Sequence, residues 1–148
     1  MEKNNIIIRA MNLQDLQYLK QHLTTQFDDF WTSSILENEF NGENTTYIVA
    51  EENNEIIGFA GILTIIDESN IMNIVTKKEK RHMGIGSLLL LELIKISENL
   101  NMKSITLEVN ENNTPAINLY KKYNFEQVGV RKKYYNNTNS AILMTLYL

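Results

Sequence analysis

The spacing Arg81-x-x-Gly84-x-Gly86 is the clearest chemical signal in the chain. It follows the apolar run Ile71–Thr76 and the charged run Lys77–Arg81, and it opens a long stretch of helical periodicity. A helix amino terminus offers unpaired N–H groups and the positive end of the helix dipole. Glycines clear side chains from the approach, so a pyrophosphate can lie against the backbone, with Arg81 adding charge nearby. Two other glycine loops are excluded. A dinucleotide fingerprint needs a third glycine where Leu89 stands, and a P-loop needs Gly-Lys-Ser/Thr where Gly86 is followed by Ser87 and Leu88. From the residues alone two readings stay open, a phosphate cradle and a plain turn into a helix.

Other reactive groups are sparse. With no cysteine there is no disulfide frame, zinc–cysteine site or thiolate nucleophile. His22 and His82 have no metal-ligand spacing, and no metal is expected. Glu108 lies between Leu107 and Val109, and Tyr120 follows twelve residues later beside Leu119. Taken alone, these are an outward strand glutamate and a core aromatic on an amphipathic helix.

The elements that must carry these residues are legible from periodicity. Residues 5–10 make a short strand, and Asn12 can cap a helix whose Leu13, Leu16, Leu19, Leu23 and Phe27 recur at helical steps. A second helix follows Thr32, with Ser34 and Glu37 at capping-box spacing and Ile35, Leu36 and Phe40 on one face. Thr45–Glu51 and Glu55–Ile66 are β-branched strands joined at Asn53-Asn54, a pair that tolerates positive φ. A polar turn at 67–69 leads to strand Ile71–Thr76. After the glycine turn a helix runs to about Leu100, with Ile85, Leu89, Leu93, Ile96 and Leu100 in line. Strand Ser104–Val109, a helix from about Thr114 to Tyr123, and strands Phe125–Arg131 and Ala141–Leu148 around a polar 136–140 loop complete the chain. The order β-α-α-β-β-β-α-β-α-β-β predicts an α/β (α+β) fold, a mixed and largely antiparallel sheet flanked by helices.

Size and composition agree with this. The 148 residues suit one domain over 1–148, and 43% apolar content can fill a core. A net charge of −4 argues against general nucleic-acid binding. The longest uncharged apolar stretch, Ile56–Ile66, is short of the ~18 residues of a spanning helix, and the amino terminus has no signal-peptide pattern. A soluble cytoplasmic protein without membrane contact is the expectation.

Arg81, Gly84 and Gly86 in this context resemble the Q/R-x-x-G-x-G/A pyrophosphate loop of the GNAT family of acetyl-CoA-dependent N-acetyltransferases. The resemblance takes in the hairpin Glu55–Gly61, the strand Asn73-Ile74-Val75 and the run Asn113-x-x-Ala116-x-x-Leu119-Tyr120-x-x-x-x-Phe125. Within the family the chain is most similar to ribosomal-protein-alanine N-acetyltransferases (the RimI type), through 67–75, Leu107-Glu108-Val109 and Gly129–Tyr135. Phe30-Trp31-Thr32-Ser33 resembles their Pro-Trp-Ser entry to the second helix.

The resemblance implies roles. Glu108 falls at the general base and Tyr120 at the general acid. Ile74, Val75 and Thr76 match the strand whose backbone holds pantetheine and acetyl. Arg81, His82, Met83, Gly84, Ile85, Gly86 and Ser87 match the pyrophosphate loop. Asn113 matches a coenzyme A contact, and Trp31, Tyr134 and Tyr135 match the acceptor cleft. The cosubstrate is acetyl-CoA, and the acceptor is the α-amino group of an amino-terminal alanine on a small-subunit ribosomal protein. Lys78 stands for the family's proline and Thr76 for its valine, where backbone contacts dominate. Asn110 replaces a common arginine and Ser140 a usual acidic residue, both on the acceptor side. A small-molecule amine is the alternative acceptor, and a non-catalytic CoA-binding module the alternative class.

The chemistry fits these types. An α-amine with pKa ~7.7–8.0 needs only a modest base, whereas a lysine amine near ~10.4 demands more. A phenol with pKa near ~10 can protonate a departing thiolate. Without cysteine, transfer is expected to be direct, in a ternary complex.

Overall fold

The computed structural model describes residues 5–27, 32–135 and 139–148, with the backbone alone for 133–135. Its elements are β1 (Ile6–Ala10), α1 (Leu13–His22), α2 (Ser33–Phe40), β2 (Thr45–Glu52), β3 (Glu55–Ile65), β4 (Glu68–Thr76), α3 (Ile85–Asn99), β5 (Ser104–Asn110), α4 (Thr114–Lys122), β6 (Glu126–Tyr135) and β7 (Asn139–Tyr147). The seven strands are hydrogen-bonded in the order β1-β2-β3-β4-β5-β7-β6. β1/β2, β2/β3, β5/β7 and β6/β7 are antiparallel, while β4/β5 is parallel. The element order and the mixed sheet are those expected from the sequence. Two compact units are distinguished, Met1–Leu63 with Met72–Lys95, and Thr64–Ile71 with Ile96–Leu148.

In the first unit, Asn12 is extended at φ −112° and accepts a hydrogen bond from Asp15 N at 2.9 Å, while Asp15 Oδ2 accepts one from Asn12 N at 2.8 Å. This reciprocal cap starts α1. Asp15 also grips Arg9, which bonds Glu51 at 2.7 Å, so the helix start is tied to β1 and β2. Leu16, Leu19, Leu23 and Phe27 are buried against Leu36, Val49 and Phe59. Complete burial of such a side chain is worth about 1.5–3 kcal/mol. The helix widens to a π turn over Leu23–Phe27, and both end residues stay inside. α2 departs from expectation in its cap: Thr32, not a Ser34–Glu37 box, accepts from Ile35 N at 3.2 Å. Thr32 is already extended, at ψ 159°, so it ends the preceding chain and caps first. Glu37 pairs with Lys20 instead.

In the second unit, β4 begins three residues before the expected strand, at Glu68 rather than Ile71. Glu68, Ser69 and Asn70 pair with Ser104, Ile105 and Thr106 of β5, and Ser69 bonds the buried Ser97 at 2.8 Å. A tertiary partner thus draws three polar residues into a strand that composition reads as a turn. β6 extends through Tyr135 and β7 starts at Asn139, so the polar loop is shorter than expected.

The buried line of α3 is Ile85, Leu89, Leu90, Leu93 and Ser97, whereas Leu100, expected in line, is 47% exposed beyond the helix end. No helix among the described residues is long and apolar enough to cross a membrane.

Candidate active site

The chain leaves β4 through a short 3-10 turn at Lys78–Lys80 and reaches α3 by the segment 81–84. His82 and Gly84 both take positive φ, 67° and 83°. Gly84 does so without strain, while a side chain there costs about 1–2 kcal/mol. Alternating handedness of this kind curls successive N–H groups toward one side, an anion-binding arrangement. The first backbone bond of α3 runs from Leu88 N to Gly84 O at 3.2 Å. The N–H groups of Ile85, Gly86 and Ser87 therefore precede the helical ladder. The turn also walls a groove of about 370 Å³, with Lys80, His82 and Met83 beside Ile57 of β3.

The lysines around this turn are engaged. Lys77 pairs with Glu55 and with Glu79, and Lys80 with Glu52 at 2.9 Å. Bonding to Glu55, partly offset by burial, raises the Lys77 amine above its ordinary pKa. Arg81 Nη2 donates to Phe27 O at 3.0 Å, which ties the turn to the π turn of the first helix. Lys77 and Lys80 are thus paired with acids, while Lys78 and Arg81 bond backbone carbonyls, and the backbone N–H groups of 85–87 with the helix dipole are the groups arranged for a pyrophosphate. Gly86, with no side chain at the first turn, fits such a ligand. Ile74, Val75 and Thr76 close β4. The β4/β5 ladder ends at the pair Asn70–Thr106, so β5 does not engage their backbone in that ladder.

In the second unit, β5 alternates cleanly. Ile105, Leu107 and Val109 are buried, and Glu108 points the other way, its side chain 32% exposed. Glu108 Oε1 accepts a hydrogen bond from Arg131 Nη2 at 2.6 Å. Tyr120 on α4 is buried, its ring 5.6 Å from Phe125 and tilted by 59°. Both Tyr123 N and Phe125 N donate to Tyr120 O, at 3.1 and 3.0 Å, fixing the backbone beneath the ring. Burial pushes the Tyr120 phenol up to about 12. It stays neutral throughout the physiological range. Asn113 Oδ1 accepts from Ala116 N at 3.3 Å and caps α4, with Pro115 in the first turn, where its missing N–H is tolerated.

The two departures on the acceptor side have local tasks. Asn110 Oδ1 accepts from Asn112 N, and Ser140 exchanges bonds with Glu111, each at 2.9 Å. They hold the turn between β5 and α4 against β7. Trp31 lies outside the described residues. Tyr134 and Tyr135 belong to β6, and their side chains lie outside the described residues. Arg131 was not singled out by sequence reasoning; its signal is a register across three strands, which a linear sequence does not display. No group of three or more His, Asp or Glu side chains that could hold a metal gathers among the described residues.

A seven-stranded mixed sheet, with a glycine turn opening its longest helix, has the architecture of an acyl-CoA N-acyltransferase. Residues 8–125 match the acetyltransferase (GNAT) family, and the chain belongs to that family. It is an acetyl-CoA-dependent N-acetyltransferase. The ribosomal protein bS18-alanine N-acetyltransferase of Haemophilus influenzae is 35% identical over 122 residues, covering 80% of this chain and 82% of that protein. The enzyme of the same name from Escherichia coli (strain K12) is 31% identical over 108 residues, covering 71% and 73%. The crystal structure of the ribosomal-protein-S18-alanine N-acetyltransferase from Escherichia coli superposes with a TM-score of 0.87 at 25% identity, over 96% of this chain and 93% of that one.

Proposed function

We propose that this chain acetylates the α-amino group of an amino-terminal alanine on a small-subunit ribosomal protein, working as one catalytic domain. The observation that carries the proposal is the 35% identity, over four-fifths of both chains, to an enzyme named for that acceptor. The groove and turn chemistry support it: α3 presents backbone N–H groups at 85–87 for the pyrophosphate of acetyl-CoA, with Asn113 as a further coenzyme contact. The backbone N–H groups of Ile74–Thr76 serve the acetyl oxygen as charge builds on it. Glu108 takes one proton from the amine as the C–N bond forms. Tyr120 gives its phenol proton to the sulfur as the C–S bond breaks, and both groups then re-equilibrate with solvent. Transfer is direct, because the chain has no thiol to carry the acetyl group. Trp31, Tyr134 and Tyr135 are assigned to acceptor recognition by their match to the family's positions alone. A ribosomal acceptor locates this work in the cytoplasm.

The test is mass spectrometry of small-subunit ribosomal proteins from cells with and without this chain. The proposal expects an unacetylated alanine terminus to appear on deletion. An unchanged set of termini overturns the ribosomal acceptor and favours a small-molecule amine, the reading that Asn110 and Ser140 leave open.

A further inference from the structure

We propose that Arg131 is a positioning residue for the transfer: its guanidinium fixes one oxygen of the Glu108 carboxylate and leaves the other to receive the amine proton. The proposal rests on the reading of Glu108 as the general base.

The register makes the contact specific. Glu108 sits on β5 and Arg131 on β6, with β7 between them. Glu108 is opposite Leu143, and Ala141 is opposite both Asn110 and Arg131. Residues opposite one another share a face, as do residues two apart on one strand. Glu108, Asn110, Ala141 and Arg131 therefore lie on one face. Two strand spacings, roughly 9–10 Å, separate β5 from β6, so both long side chains must reach across β7. Leu143 and Ala141 are the β7 residues on that face, and Ala141, opposite Arg131, carries only a methyl group.

The pair is not a stability device. Arg131 and Glu108 side chains are 55% and 32% exposed, and exposed ion pairs add little to stability. What the 2.6 Å bond does is select one rotamer of a flexible carboxylate. Among the described residues Oε2 has no partner, so one lone-pair-bearing oxygen remains for a proton. A general base must stand within about 2.6–3.2 Å of its proton, directly or through one water, and small misplacements cost rate steeply.

Steady-state kinetics with acetyl-CoA and a peptide beginning in alanine tests this. Arg131→Gln is expected to lower kcat by about 10-fold or more. KM for acetyl-CoA and the melting midpoint should stay unchanged, and Arg131→Lys should restore part of the rate. In a Glu108→Gln background, Arg131→Gln should add no further loss, because the carboxylate it positions is gone. Wild-type kcat in Arg131→Gln, or a full additional loss in the Glu108→Gln background, overturns the proposal while the base assignment stands. Wild-type kcat in Glu108→Gln overturns both.

Discussion

At the scale of single residues, the proposed division of labour between a carboxylate and a phenol rests on two different environments. Glu108 projects from an alternating strand, with one oxygen bonded to Arg131 and the other without a partner among the described residues. Tyr120 is enclosed, and its burial raises the phenol to about 12, so the group stays protonated at neutral pH. Tyr120→Phe preserves the ring contact with Phe125 and removes only the proton. Its kcat should fall about 10²-fold or more, with the melting midpoint little changed, as single-turnover kinetics and thermal unfolding would report. The types and spacing of Glu108 and Tyr120 were visible in the sequence, although their roles came from resemblance. Arg131 was not visible, because its proximity to Glu108 depends on how three strands align.

At the scale of elements, the glycine turn is the part most legible in sequence. Its position between β4 and α3 follows from a change of period, from strand alternation to helical steps. The pairing of its lysines with Glu52, Glu55 and Glu79 was not legible, since those partners come from distant strands and a 3-10 turn. Boundaries moved where tertiary partners outweighed local preference, as at Glu68–Asn70 beside β5. Packing between neighbouring strands is equally hidden. A Cβ at Gly61 would lie 2.3–2.6 Å from the ring atoms of Tyr47, deep in the first unit. Gly61→Ala must displace that ring and should cost about 1–3 kcal/mol, read as a shift of the urea midpoint. Asn73 Nδ2 reaches the Tyr47 hydroxyl at 3.4 Å, so the displacement would also loosen β4 ahead of Ile74.

At the scale of the whole molecule, charge and burial set a window of stability. Burial alone would raise the Asp15 carboxyl, but the Arg9 guanidinium and the Asn12 N–H hold it below the ordinary value. A group depressed in the folded state stabilises above the ordinary carboxylate range and loses that contribution as pH falls through about 4 and below. Tyr120 works in the opposite sense. Its folded pKa is raised, so its contribution is complete below pH about 10 and is lost as pH climbs toward 12. The unfolding free energy should therefore fall on both sides, and Asp15→Asn should blunt the acid limb alone. Denaturant titrations across pH measure this. Composition bounded the fold without revealing it: zero cysteine became a statement about direct transfer only once the family was shown.

The most direct measurement is mass spectrometry of a peptide with an amino-terminal alanine and an internal lysine after incubation with acetyl-CoA and the purified protein. A single acetyl group on the α-amine is expected, with the rate reduced about 10²–10⁴-fold by Glu108→Gln and the acetyl-CoA affinity retained. Acetylation of the lysine alone, no acetylation at all, or an undiminished rate in Glu108→Gln would contradict the account.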